Sequence, residues 1–119
     1  MALDRSRLPV VDSDPPFAFP TVHHLTLLNG LDVRIVEHRK MPVVSAVLLL
    51  PGGSATDPAG HPGLMSLTAA LLDEGCGERS SLALYQELGR LGAQLDVEVG
   101  MDASTVRMTT LGRRAEAGL

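Results

Sequence analysis

The chain has 119 residues, enough for one small domain or for part of a larger one. Apolar residues make up 45 % and charged residues 20 %, an ordinary balance for a chain that buries a core. A formal charge of −4, no basic run, no Trp, one Tyr and two Phe argue against nucleic acid, which needs cationic patches and stacking platforms.

Residues 1–20 hold four of the eight prolines and show no periodicity, so they read as an N-terminal arm. Residues 21–119 read as the domain proper. His23 to Leu28 is extended. Asn29-Gly30 then signals a hairpin whose two turn residues both take positive φ. Leu31, Val33 and Ile35 alternate with Asp32 and Arg34, which predicts a strand with one wet face. Val43 to Leu50 is apolar on both faces apart from Ser45, which suits a central strand covered on both sides. Residues 52–61 form a loop, with turn signals at Asp57-Pro58 and Ala59-Gly60.

Pro62 fits the first turn of a helix. Gly63 to Glu74 is apolar around nearly its whole circumference, which predicts a buried helix packed on a sheet or on another subunit. Gly75 and Gly77 stop it. Ser80 or Ser81 caps a second helix carrying Leu84, Leu88 and Leu91 on one face, and Gly92 ends it. Ala93, Leu95, Val97 and Val99 alternate with Gln94, Asp96 and Glu98, the clearest strand in the chain. Gly100 to Asp102 turns into a partner strand, Ala103 to Leu111. Residues 112–119 look like a helix just beginning, so the chain is expected to be the first part of a longer domain. The order ββ–β–α–α–ββ predicts an α+β fold, a largely antiparallel sheet with two helices packed on it.

Most polar constellations have a plain reading. His23 and His24 are adjacent in a strand and point to opposite faces, so they do not share a metal easily. His38, His61, Cys76, Asp73 and Glu74 are better read as surface groups at element ends than as a metal site. Asp73 and Glu74 diverge by about 100° on a helix, which favours helix termination over a paired acid and base. Gly52-Gly53-Ser54 lacks the rest of a phosphate loop. Ser66 lacks a nucleophile elbow and reads as a hydroxyl bonded back to a carbonyl one turn earlier. The single Cys76 forms no internal disulfide, and the apolar run Ala46 to Leu50 is too short to span a bilayer. The first 17 residues lack the apolar stretch of a secretory signal.

Five segments, in order, resemble the N-terminal part of the pitrilysin/insulinase family of zinc metallopeptidases, which includes the mitochondrial processing peptidase. They are LLNGLDVRIVEH at 27–38, VVSAVLLLPGGSATDPAG at 43–60, HPGLMSLTAALLDEG at 61–75, RSSLALYQELGRLGAQLDVEVGMDAS at 79–104, and the strand ending in Leu111. The resemblance implies a processing-peptidase-like half domain from about Thr21 onward. Active members carry H-x-x-E-H on the first long helix. Two histidines at i and i+4 hold zinc and the glutamate is the general base. Aligning Gly63-Leu64 with the usual start of that helix puts Ser66 and Ala70 at the ligand positions and Ala69 at the base. None can do that work, and no histidine lies between His61 and the C-terminus.

The resemblance therefore implies a fold and a partner logic, without a catalytic residue, a bound cofactor or a metal ligand in this chain. Zinc belongs to the family, and the resemblance implies that any zinc here is carried by a partner. The expected function is that of a non-catalytic subunit or domain pairing with a zinc-bearing partner to form a peptide-binding chamber. One alternative is part of an active zinc metalloendopeptidase whose metal site lies outside this chain. Another is a scaffold subunit that binds no peptide. The expected partners are a pitrilysin-like subunit or second domain, a peptide, and further copies of the chain, with no nucleic acid and no membrane. The expected compartment is the cytoplasm, or the periplasm if a signal has been removed.

Overall fold

The computed structural model describes Ser13 and residues 16–118; the expected arm falls partly on residues 1–12, 14 and 15, which lie outside the described residues. The chain divides into two units between Arg39 and Lys40.

The first unit holds a hairpin. Strands β1 (Val22–Thr26) and β2 (Asp32–Val36) pair antiparallel, with Val22 opposite Val36 and Thr26 opposite Asp32. The turn differs from expectation. Gly30 has φ 85° and, among the described residues, none other than glycine has positive φ, so Asn29 is not left-handed. Gly30 N–H donates to the Leu27 carbonyl at 2.9 Å, and the Leu31 N–H donates to Asn29 Oδ1 at 3.1 Å. The asparagine thus acts through its side chain, and only the glycine supplies the left-handed step, as in three-residue hairpin loops.

The second unit is built on three antiparallel strands in the order β3-β7-β6. They are β3 (Val43–Pro51), β6 (Gln94–Val99) and β7 (Ala103–Leu111). Between β3 and β6 come a 3-10 turn at Ser54–Thr56, helix α1 (Leu64–Leu71), the two-residue strands β4 (Gly75–Cys76) and β5 (Arg79–Ser80), and helix α2 (Ser81–Leu91). A short helix, α3 (Ala115–Gly118), follows β7. Helix α1 packs against β6, α2 against β4, β5 and β6, and α3 against β7. This is the expected α+β arrangement, with a third helix where the sequence showed one beginning.

Register sets the two faces of the sheet. One carries Leu95, Val97 and Val99, opposite Met108, Val106 and Ser104, opposite in turn Ala46, Leu48 and Leu50. The other carries Gln94, Asp96 and Glu98 with Thr109, Arg107 and Thr105. The period-two pattern of β6 therefore sorts its side chains as expected, half-buried alternating with exposed. Across β3 and β7, the Ser45 and Thr109 hydroxyls meet at 3.1 Å.

Two expectations about burial fail. Among the described residues strand β3 is an edge strand, paired along one side only by β7, and all its residues except Ala46 are exposed. Helix α1 has no buried residue. An uninterrupted apolar run records what an element is able to bury, and here the cover is not supplied by the described residues. Among the described residues the buried apolar ones are Leu91 and Ala93, joined by the polar Ser104 and Thr110.

Candidate functional site

The site grows out of the loop after β3. That loop is stitched to the β6–β7 turn by backbone bonds: Gly52 N–H to Asp102 O at 3.0 Å, Ser54 N–H to Gly100 O at 2.9 Å, and Ala55 N–H to Met101 O at 3.0 Å. The buried Ser104 hydroxyl donates to Gly52 O at 2.9 Å. Held there, Asp57 reaches the start of α1. Its Oδ2 accepts from Gly63 N–H at 2.7 Å and its Oδ1 from Met65 N–H at 2.8 Å. One carboxylate satisfies two of the donors a helix start leaves open, and its charge faces the positive end of the helix. Asp57→Ala is expected to cost about 1–2 kcal/mol, at the upper end for a lost cap; urea denaturation checks it.

So placed, α1 presents Ser66, Ala69 and Ala70 to a cleft of about 490 Å³ that it forms with β6. The other lining residues are Val97 and Val99, from the apolar face of the sheet, and Asp73 and Glu74, just past the end of α1. The three residues singled out on the helix thus share one concavity. Asp73 and Glu74 share it too, against expectation. Regular helix ends at Leu71, and the following turn, with Glu74 N–H bonded to Leu71 O at 3.3 Å, brings both residues to the same opening. Ser66 is exposed, and the hydroxyl that bonds back along the helix is that of Thr68, to Leu64 O at 2.8 Å.

Helix α2 closes onto this corner. Ser80 Oγ accepts from Ala83 N–H at 3.3 Å, the expected cap, and Gly92 at φ 64° ends the helix with Ala93 N–H bonded to Leu88 O at 2.8 Å. From α2 the Tyr85 hydroxyl donates to Asp73 Oδ2. That hydrogen bond, with burial and the negative charges of Asp73 and Glu74, pushes the Tyr85 phenol above its ordinary range.

The donor set does not fit zinc. At the positions the resemblance gives to metal ligands and base stand one hydroxyl and two methyl groups, and a neutral hydroxyl is a poor zinc ligand. Among the described residues no three His, Cys, Asp or Glu side chains are grouped to hold a metal ion. His23 and His24 sit opposite Ile35 and Arg34 on alternate faces of the hairpin, with His24 Nε2 3.6 Å from Asp32 Oδ1. Cys76 is exposed.

Known structures share this architecture. The crystal structure of a peptidase M16 inactive domain from Pseudomonas fluorescens matches 82 % of the chain, with a TM-score of 0.74 and 28 % identity. The chain is pitrilysin-like. The periplasmic protease PqqL from Escherichia coli matches 99 % of it at TM-score 0.75 and 19 % identity, and a protease from Helicobacter pylori 81 % at 0.69 and 21 %. This pitrilysin-like chain spans 23 %, 14 % and 23 % of those three chains. No family model and no curated protein matches it. Among the described residues no helix is long and apolar enough to cross a membrane.

Sequence reasoning missed two residues of the site. Asp57 acts six and eight residues downstream, outside the spacing that marks an ordinary cap, although its place in a turn before an apolar helix was a signal. Tyr85 was visible beside the leucine stripe of α2, but its pairing with Asp73 depends on how two helices meet.

Proposed function

We propose that this chain is a non-catalytic pitrilysin-type subunit or domain that pairs with a zinc-bearing partner and helps form a peptide-binding chamber. The observation that carries this is the cleft itself. Ser66, Ala69 and Ala70, at the positions the resemblance gives to the family's chemistry, line it together and supply neither a metal ligand nor a proton acceptor. Beside it, β6 is paired among the described residues by β7 alone, which leaves a strand edge on which an extended peptide adds by main-chain hydrogen bonds.

Uncovered surface supports the partner. Leu67 and Leu71 on α1 are 57 % and 58 % exposed, and Leu49 on β3 is 66 % exposed. Apolar faces of this extent mark contact sites. Without the partner the chain is expected to cover them with further copies of itself, since an uncharged edge strand invites pairing. Light scattering should then report a mass above the monomer, and a clean monomer at high concentration would count against it.

Metal content tests the central claim. After dialysis against a dilute chelator and then zinc, elemental analysis should find no stoichiometric zinc on the purified chain. One zinc per chain would mean that histidines outside α1 converge, and would favour a catalytic reading. Peptide binding by the assembly separates a chamber subunit from a scaffold. The proposed compartment is the cytoplasm, or the periplasm if a signal is removed.

A further inference from the structure

The two edges of the β3-β7-β6 sheet differ in what they accept, and this step rests on the self-association expected above. Backbone direction comes first. Gly112 N–H donates to Pro42 O at 2.8 Å and Gly52 N–H to Asp102 O at 3.0 Å, just beyond the two ends of the β3–β7 ladder. Both bonds keep the register of the ladder, which runs unbroken from Val43 opposite Leu111 to Pro51 opposite Ala103. Bonding alternates along an antiparallel strand. The even-numbered residues of β3 therefore turn their N–H and C=O groups to β7, and the odd-numbered ones turn theirs to the free edge. Among the described residues no strand pairs that edge. Val43, Ser45, Val47 and Leu49 each present a donor and an acceptor there. Pro51 ends the run, because it has no N–H to give.

Charge then separates the edges. β3 carries no ionisable side chain. On β6, Asp96 lies opposite Arg107 and Glu98 opposite Thr105. Two copies joined through β6 would set these carboxylates against their own kind across the join, which is destabilising. Two copies joined through β3 meet no such opposition and cover apolar surface, since Val47 and Leu49 are 54 % and 66 % exposed. A two-fold axis also makes an antiparallel edge its own complement, donors against acceptors. We propose that the β3 edge binds a second copy of this chain, β3 against β3, so that two three-stranded sheets become one. With the axis at Ala46, Val43 bonds with Leu49 of the other copy and Ser45 with Val47. An axis at Val47 would instead press the Pro51 ring against the incoming strand. The β6 edge stays free for a peptide.

The test uses the full chain under reducing conditions, because Cys76 is exposed. Sedimentation should show a monomer–dimer equilibrium. Residue-resolved amide exchange at Ser45, Val47 and Leu49 should slow about tenfold once roughly nine chains in ten are paired, since exchange then runs through the remaining monomer. Leu95 and Val97, on the free edge of β6, should stay fast. Val47→Pro removes a donor from the edge and none from the β7 ladder. It should keep the circular dichroism of the fold and weaken dimerisation by more than about tenfold. Val47→Lys, which sets two cations in the join, should weaken it about tenfold, and Val47→Thr should leave it unchanged. Ala46→Cys with Cys76→Ser should cross-link on mild oxidation, because facing residues at a non-bonded position bring their Cα atoms to about 4.5 Å. An oligomer that survives Val47→Pro and Val47→Lys, with fast amides at Ser45 and Val47 and no cross-link, overturns the edge pairing and leaves self-association standing. Slow amides there in a monomer also overturn it, since the chain then covers its own edge. A monomer with fast amides at every concentration overturns both.

Discussion

Gly53→Ala should unfold or severely destabilise the second unit, by roughly 3–4 kcal/mol, the range reserved for a forced break in a packed backbone. The cause is steric rather than conformational, because Gly53 sits at φ −147°, open to any residue. A Cβ there would lie 2.6 Å from Met101 O and 2.7 Å from Met101 C, and closer still to Gly100 O. These are backbone atoms of a tight turn and have no rotamer to escape into. Relief requires the loop after β3 to lift off the β6–β7 turn, with loss of the three backbone bonds that flank Gly53. Each such bond is worth about 0.5–1.5 kcal/mol net, so three account for about 1.5–4.5 kcal/mol, a span that contains this value. Thermal unfolding should fall by about 15–25 °C for a unit of this size. Gly89→Ala is the matched control. Gly89 lies inside α2 with nothing within 4 Å of its added Cβ, so this substitution should stabilise by up to about 1 kcal/mol. Equal behaviour of the two variants would remove the seam from the account.

The same seam marks where the sequence was legible and where it was not. Strands β6 and β7 were readable because one half-buried sheet face imposes strict alternation on Leu95, Val97 and Val99. Helix α2 was readable because Ser80 and Gly92 act within one turn of its ends. The hairpin of β4 and β5 was not, since two-residue strands carry no period and Gly75 served equally well as a helix stop. The run Val43 to Leu50 gave a strand but not its rank in the sheet, because a centre and an uncovered edge have the same composition. For the site, the small residues on α1 were placed by resemblance, and the structure brings them together beside Val97 and Val99. The anionic end escaped because adjacent residues were assumed to stay helical. The turn after Leu71 brings Asp73 and Glu74 to one opening instead.

Leu91→Ala is the second large effect, expected at about 2–3 kcal/mol, the lower part of the range for a buried leucine. Leu91 is 4 % exposed and is the one large apolar side chain among the described residues that is fully inside. Its neighbours on the stripe, Leu84 and Leu88, are only half-buried, so the surroundings can partly collapse into the space and the cost stays below the maximum. Leu82, 67 % exposed on the same helix, provides the contrast: Leu82→Ala should change stability by less than about 0.5 kcal/mol. Urea midpoints at unchanged slope would show that both values refer to the same unfolding reaction. The pair of variants also bears on the partner. Leu67 and Leu71 are more than half exposed, a little less than Leu82, so their replacement by alanine should be nearly as silent in isolation. In the assembly the silence should end for Leu67 and Leu71, because truncating a covered side chain loses both its transfer energy and its packing. If they stay silent there as well, α1 faces solvent in the complex and the partner sits elsewhere on the chain.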